Sequence, residues 1–381
     1  MLYPQEQLAQ TRPIEVELIR SYGSHTLAFL GLAPENMHFL APDGAGLVNY
    51  RLTSKVAVVL GDPVCAPQAR EQVTRSFLAF CAQHDWRVAF YQAYPEHVVT
   101  YRTLNLRAFK MGEEAILHPQ TFTLQGSALA NVRTSCRRAE REGVTIQWYE
   151  GVPPAEVMQQ LEQISSVWLE HKAGKHASEM GFSMSRLDEL SAAAERADMV
   201  ANLSTSSHAF PKAAPRLVTA VAITRLGEVC AFVTFTPIYG SVAHEATTGK
   251  QPGVHGWGWT LDLMRRTPEA PPGVMELLLV RAIERFRACG AHILSLGLVA
   301  WADTRQEMAP LQRQFASLIT NRLHLLESRH TLFNFKQKFQ PCWQSRSIVA
   351  STTLALPKIA LAVLRVRNYS AGGLARPLSL P

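Results

Sequence analysis

The chain has 381 residues, 47% of them hydrophobic, enough for two domains of ordinary size that each bury a core. Lys and Arg number 38 against 31 Asp and Glu, and the net charge of +7 is compatible with an anionic partner without demanding one. The six cysteines are scattered with no CxxC pair, and no window reaches 18 uninterrupted apolar residues, so a zinc site, a disulfide framework and a membrane span are all excluded as expectations.

The N-terminal residues lack a basic stretch followed by an apolar run, so no signal peptide is expected. Residues 13–30 carry apolar side chains at helical spacing. Three β-like runs follow at 37–40, 46–51 and 55–60, parted by Pro42-Asp43-Gly44 and Thr53-Ser54, which predicts an antiparallel meander. A turn at Gly61-Asp62-Pro63 leads to an amphipathic helix over 68–84, a strand over 87–94 and a short helix over 96–104. Residues 126–143 place Arg133, Arg137 and Arg141 at i, i+4 and i+8, one face of a basic helical connector. The order then repeats. A helix over 154–172 precedes strands at 216–225, 228–236 and 241–248, a helix over 273–289, a strand at 292–297 and a helix over 304–325. Residues 173–198 and 204–214 read as loops or short helices inserted in the second half. The apolar run 353–366, broken by Pro357, Lys358 and Arg365, is too short to span a bilayer and reads as a packed element or a membrane-surface segment. The expected division is a first lobe over 1–125, a basic helix over 126–150, a second lobe over 151–350 and a tail over 351–381.

No GxSxG elbow, HExxH, P-loop or dinucleotide fingerprint is present. The Thr248–Gly253 stretch has the wrong spacing for a coenzyme A pyrophosphate loop. No cofactor and no metal are expected.

Several separated segments are similar to the aminoacyl-phosphatidylglycerol synthases, also called multiple peptide resistance factors. They include Leu60-Gly61-Asp62-Pro63, Phe109-Lys110-Met111-Gly112-Glu113-Glu114-Ala115, Met180-Gly181-Phe182-Ser183, Asp262-Leu263-Met264-Arg265-Arg266, Ser295-Leu296-Gly297-Leu298 and Leu332-Phe333-Asn334-Phe335-Lys336-Gln337-Lys338-Phe339. They fall in the family's order over residues 13–347. The resemblance implies an α/β (α+β) fold of tandem acetyltransferase-like (GNAT) lobes. It implies that an amino acid leaves aminoacyl-tRNA and is esterified to a lipid hydroxyl, such as that of phosphatidylglycerol, an anionic phospholipid. The best-known members carry a many-helix membrane domain ahead of this module, and none is expected within these 381 residues. Lipid would then be met peripherally, at the inner face of the cell membrane of a cytoplasmic protein, or the acceptor is not a bilayer lipid.

Asp262 and Arg265, i and i+3, are expected on one helix face. There a carboxylate can orient a hydroxyl or hold an α-ammonium, and a guanidinium can meet a phosphate. The bland reading is a surface ion pair. The resemblance implies a functional basic residue in 335–339. Lys338 matches better than Lys336, and on a strand both would point the same way. His244 and Glu245 are carried as an acid/base pair in the substrate cleft. Glu113 and Glu114 are read as structural, fixing a turn against Lys110 or Arg107. The Arg133, Arg137 and Arg141 face is the candidate site for tRNA phosphates. Two alternatives stay open: aminoacyl-tRNA- or acyl-CoA-dependent transfer to a peptide or small-molecule amine, and a non-catalytic RNA- or membrane-binding protein.

Overall fold

The computed structural model describes residues 5–173, 179, 181–203, 213–240, 256–300 and 326–367. Helix α1 (Gln5–Tyr22) opens the chain, earlier than its apolar spacing suggests, and stops at Gly23. The meander forms as expected from β1 (Met37–Leu40), β2 (Gly46–Thr53) and β3 (Val56–Leu60). A short β4 (Val64–Cys65) folds back on β2. Helix α2 (Arg70–Gln83) then crosses over to β5 (Arg87–Ala93), which pairs parallel with β3. A parallel neighbour requires such a crossover, because a tight turn can only reverse the chain. Helix α3 (Val98–Thr103) and the long β6 (Arg107–Leu117) complete the first half.

The second half repeats this logic. Helix α4 (Ala130–Arg141) leads to β7 (Thr145–Glu150), α5 (Ala155–Ala173) and α6 (Leu190–Ala201), then to the meander of β8 (Val218–Ile223), β9 (Val229–Tyr239) and β10 (Trp257–Arg266). Helix α7 (Val274–Cys289) crosses over to β11 (Ile293–Ala300), parallel to β10. The chain continues with α8 (Leu326–Gln337), β12 (Cys342–Ala350) and α9 (Leu356–Arg367). Each half is therefore a GNAT-like lobe with one parallel pair at its centre. The expected strand over 241–248 and helix over 304–325 lie outside the described residues, as does Thr248–Gly253. Residues 173–198, read as loops or short helices, include most of α6.

The lobes share one sheet, in the order β1-β2-β3-β5-β12-β6-β11-β10-β9-β8-β7. They are cross-laced. Strand β12, the last of the described strands, inserts between β5 and β6 of the first lobe, and β6 pairs with β11 of the second. A cut at residue 350 would thus assign to the second lobe a strand that completes the first. The segment read as a tail continues this pattern: Leu356, Ile359, Ala360 and Val363 of α9 are buried with Val56, Val58 and Tyr91 of the first lobe's sheet. Helix α4 is more than a connector. Its arginines alternate with Val132, Cys136 and Ala139, which pack in the core with α7.

Candidate functional site

Strands β10 and β11 pair only from Gly258↔Ile293 to Thr260↔Ser295. Contact there is close enough that a Cβ on Gly258 would sit 1.9 Å from the Ile293 carbonyl oxygen. Just beyond, both strands bulge: β10 between Leu261 and Met264 against β9, β11 between Ser295 and Leu298 against β6. A bulge adds a residue, bends its strand and re-aims side chains. Here two bulges open a splay between two parallel strands.

Asp262 and Arg265 lie on this splayed part of β10, so the helix expected there is a bulged strand. On a regular strand i and i+3 face opposite sides. The extra residue lets both turn to the same segment, residues 179–189. Asp262 Oδ1 accepts the Ser185 amide at 2.8 Å. Arg265 donates to Ser165 Oγ and to Glu179 Oε1, and its guanidinium lies 5.2 Å from the Trp168 ring centroid. Glu179 Oε2 accepts the Leu187 amide at 2.6 Å. Asp262 and Arg265 are thus neighbours that share a strap of chain, and Arg265's carboxylate partner is Glu179.

Asp262 is half-buried as a residue, and desolvation pushes its carboxyl above the usual range, against the Ser185 hydrogen bonds and the nearby Arg265 charge. Its Oδ2 is buried without a partner among the described residues. A buried carboxylate oxygen left unsatisfied is costly unless a ligand completes it. A cavity of about 330 Å³ lies alongside, lined by Glu162, Ser165, Glu179 and Arg186, and a smaller one of about 110 Å³ by Trp168, Met184, Leu263 and Arg265.

The basic group in the splay is Lys336. Residues 335–337 end helix α8, so the strand alternation that would put Lys336 and Lys338 on one side does not hold. Lys338 pairs with Glu276 of α7 at 2.8 Å and is partly exposed. Lys336 is 4% exposed, and its Nζ donates to the carbonyls of Gly297 at 2.9 Å and Leu298 at 3.3 Å, on the β11 bulge. Gly297 takes φ +83°, and a Cβ there would lie 3.6 Å from Lys336 Nζ and 3.7 Å from the Leu261 carbonyl oxygen. The ammonium therefore sits on the β11 bulge, whose Gly297 faces the Leu261 carbonyl of β10. Burial lowers it from 10.5 to about 7, partly offset by the Glu114 charge.

Glu114 makes no turn. It is buried at the seam of β6, β11 and β12, where it accepts Ser295 Oγ at 2.5 Å and Arg346 Nε at 2.7 Å. Arg346 is wholly buried and stacks 3.5 Å from the Tyr94 ring centroid. Glu113 does pair with Lys110, at 2.8 Å. Asp62 is likewise buried, accepting the Tyr94 amide and the Tyr101 hydroxyl, so its turn is tied into the first lobe.

Of the arginine face, Arg133 donates to the carbonyls of Leu124 and Gly126 and so fixes the entry to α4. Arg137 and Arg141 are exposed. His244 and Glu245 lie outside the described residues. Sequence reasoning passed over Glu179 and Lys336. Glu179 sits one residue before the Met180-Gly181-Phe182 motif, and Lys336 inside a quoted one, which was the available signal.

The family described as "Phosphatidylglycerol lysyltransferase, C-terminal" matches residues 16–350. The chain is 27% identical over 353 residues to the phosphatidylglycerol lysyltransferase of Bacillus subtilis, covering 91% of this chain and 36% of that protein. It is 27% identical over 359 residues to the lysylphosphatidylglycerol biosynthesis bifunctional protein LysX of Mycobacterium ulcerans, covering 92% and 29%. It thus spans about a third of the length of the curated relatives it matches. The solved structure of L-PGS from Bacillus licheniformis aligns with a TM-score of 0.72 at 25% identity, covering 96% of both chains. With the family model spanning most of its length, the chain belongs to the phosphatidylglycerol lysyltransferase C-terminal family.

Proposed function

We propose that this chain is an aminoacyltransferase that moves an amino acid from aminoacyl-tRNA to a hydroxyl of phosphatidylglycerol, working peripherally at the inner face of the membrane. The observation that carries this reading is the splay, with the unsatisfied Asp262 oxygen at one bulge and Lys336 at the other. An aminoacyl ester is already activated, so the work is positioning, charge stabilisation and proton transfer. The glycerol oxygen forms a bond to the aminoacyl carbonyl carbon, and the bond from that carbon to the ribose oxygen breaks. One proton passes from the glycerol hydroxyl to the ribose oxygen. Lys336 suits this proton transfer: two N–H groups are held by the bulge carbonyls, and near neutrality the third position alternates between a proton and a lone pair. Asp262 Oδ2 receives the α-ammonium of the amino acid or the acceptor hydroxyl. Glu179, fixed by Arg265, adds negative charge to the cavity wall that a cationic amino acid meets. Arg137 and Arg141 contribute phosphate contacts to the tRNA. His244 and Glu245 are kept as further substrate contacts.

The test uses labelled aminoacyl-tRNAs and phosphatidylglycerol vesicles. Label should move into the organic phase, and Asp262→Asn should reduce the rate at least a hundredfold while thermal stability is kept. Near-normal transfer by Asp262→Asn removes this residue from the mechanism. Absence of transfer with every aminoacyl-tRNA overturns the reading.

A further inference from the structure

The sequence holds a charge asymmetry of which the proposed site uses only Lys336. From Ser328 to the C-terminus there is no Asp or Glu, while Lys and Arg number eight, more than the net +7 of the whole chain. Two of these cations lie on the outer side of α9. Ala355, Leu356, Ile359, Ala360, Val363 and Val366 face the sheet. The opposite face is the stripe Lys358, Leu361 and Arg365, and Leu354, on the 3-10 turn Thr353–Ala355 that leads into α9, extends it; Leu354 is 81% and Leu361 39% exposed. Residues at i, i+3 and i+7 lie along one side of a helix. Leucines alternating with cations on an exposed stripe are not what solvent alone selects.

The stripe continues onto the adjoining sheet end. Arg365 donates to Ser54 Oγ at the tip of the β2–β3 hairpin. Lys55, next to it, pairs with Asp85 at 2.8 Å, and Lys358 and Arg87 also act on that carboxylate. Three cations therefore gather around one carboxylate, with Arg365 on the hairpin tip beside them.

This end of the sheet is also the one the splay faces. Strands β10, β11 and β12 run toward it, and β5 and β6 start from it. The C-terminal end of α9 touches the strap that holds the site: the Gly181 amide donates to the Arg367 carbonyl at 2.9 Å, and four residues later Ser185 binds Asp262.

We propose that the outer face of α9, with Lys55 and Arg87 beside it, is the surface on which the protein docks to an anionic lipid bilayer, Leu354 and Leu361 entering the headgroup layer and the cations meeting lipid phosphates. This sets the open end of the splay toward the headgroups, and its purpose rests on the lipid-acceptor reading above. Each cation close to such a surface strengthens binding about fivefold, and exposed leucines add the hydrophobic share.

The experiment is flotation with vesicles of phosphatidylcholine alone and of phosphatidylcholine containing phosphatidylglycerol, at low and moderate salt. The wild type should bind the mixed vesicles, lose binding as salt rises, and ignore the neutral ones. Lys358→Glu/Arg365→Glu should weaken binding twentyfold or more, and Leu354→Asn, at a fully solvated position, severalfold. Wild-type failure to bind, or equal binding by the variants, overturns the proposal. So does a wild type that sediments as a dimer and a Leu361→Asn that is monomeric, since the stripe is then covered by a second copy. Transfer to a short-chain phosphatidylglycerol dispersed as monomers separates the two readings. The docking variants should keep that transfer, whereas a wild type that binds vesicles and transfers to neither acceptor fails the lipid-acceptor reading and leaves the docking surface standing.

Discussion

Lys336→Met isolates what a buried amine does to this fold. In the folded chain burial holds Lys336 near 7, whereas an unfolded lysine titrates near 10.5. Below the folded value both states carry the proton, and the full burial penalty is present. That penalty is the whole displacement, about 5 kcal/mol. Between the two values the unfolded chain binds the extra proton, so stability rises with pH and the penalty fades, to about 1.4 kcal/mol near pH 9.5. Methionine removes the penalty at every pH and leaves the Gly297 and Leu298 carbonyls without their donor, a loss of about 1–2 kcal/mol. The variant should therefore be about 3 kcal/mol more stable than the wild type near pH 6 and nearly equal to it near pH 9.5. Guanidinium titrations of both proteins at the two pH values measure this, because every other titrating group is common and cancels in the difference. A stability difference that does not change with pH, or a variant weaker near pH 6, would mean that Lys336 is charged and well solvated, and the proton-transfer role would go with it. The same variant should have lost aminoacyl transfer.

Other outcomes follow from the same geometry. Glu114→Ala leaves Arg346 buried and uncompensated, and should destabilise the fold by about 3–5 kcal/mol in denaturant titrations; a change under about 1 kcal/mol would show that the seam is hydrated. Arg137→Glu/Arg141→Glu should weaken tRNA binding and flatten its salt dependence, read by filter binding over a salt series, while Arg133→Gln should instead lower thermal stability, since Arg133 holds backbone carbonyls. Equal tRNA affinity in the double variant would clear α4 of any role in binding.

Much of the fold could be read from the chain because its local signals agree with its tertiary ones. The β1–β3 meander, α2, α4, α5, α7 and β9 all fall close to where periodicity and turn residues put them. The two failures at the site share one cause. A bulge breaks the two-residue alternation of a strand, and Asp262 and Arg265 then mimic the three-residue spacing of a helix. In the same way, Lys336 and Lys338 look equivalent on a strand, but on the last turn of α8 one enters the splay and the other reaches α7. The place of β12 could not be read at all. Its partners β5 and β6 are hundreds of residues earlier, and no local pattern encodes a neighbour at that distance.

That distance has a consequence for how the protein is made. Until residues 342–350 have left the ribosome, β5 and β6 have no partner between them, and each presents an open row of amide and carbonyl groups. The first half of the chain is thus synthesised early but sealed late, by a strand that must travel back across the whole second lobe. Synthesis that stops short of Cys342 would leave the sheet with a sticky slot between β5 and β6, suited to pairing with the next unfinished copy.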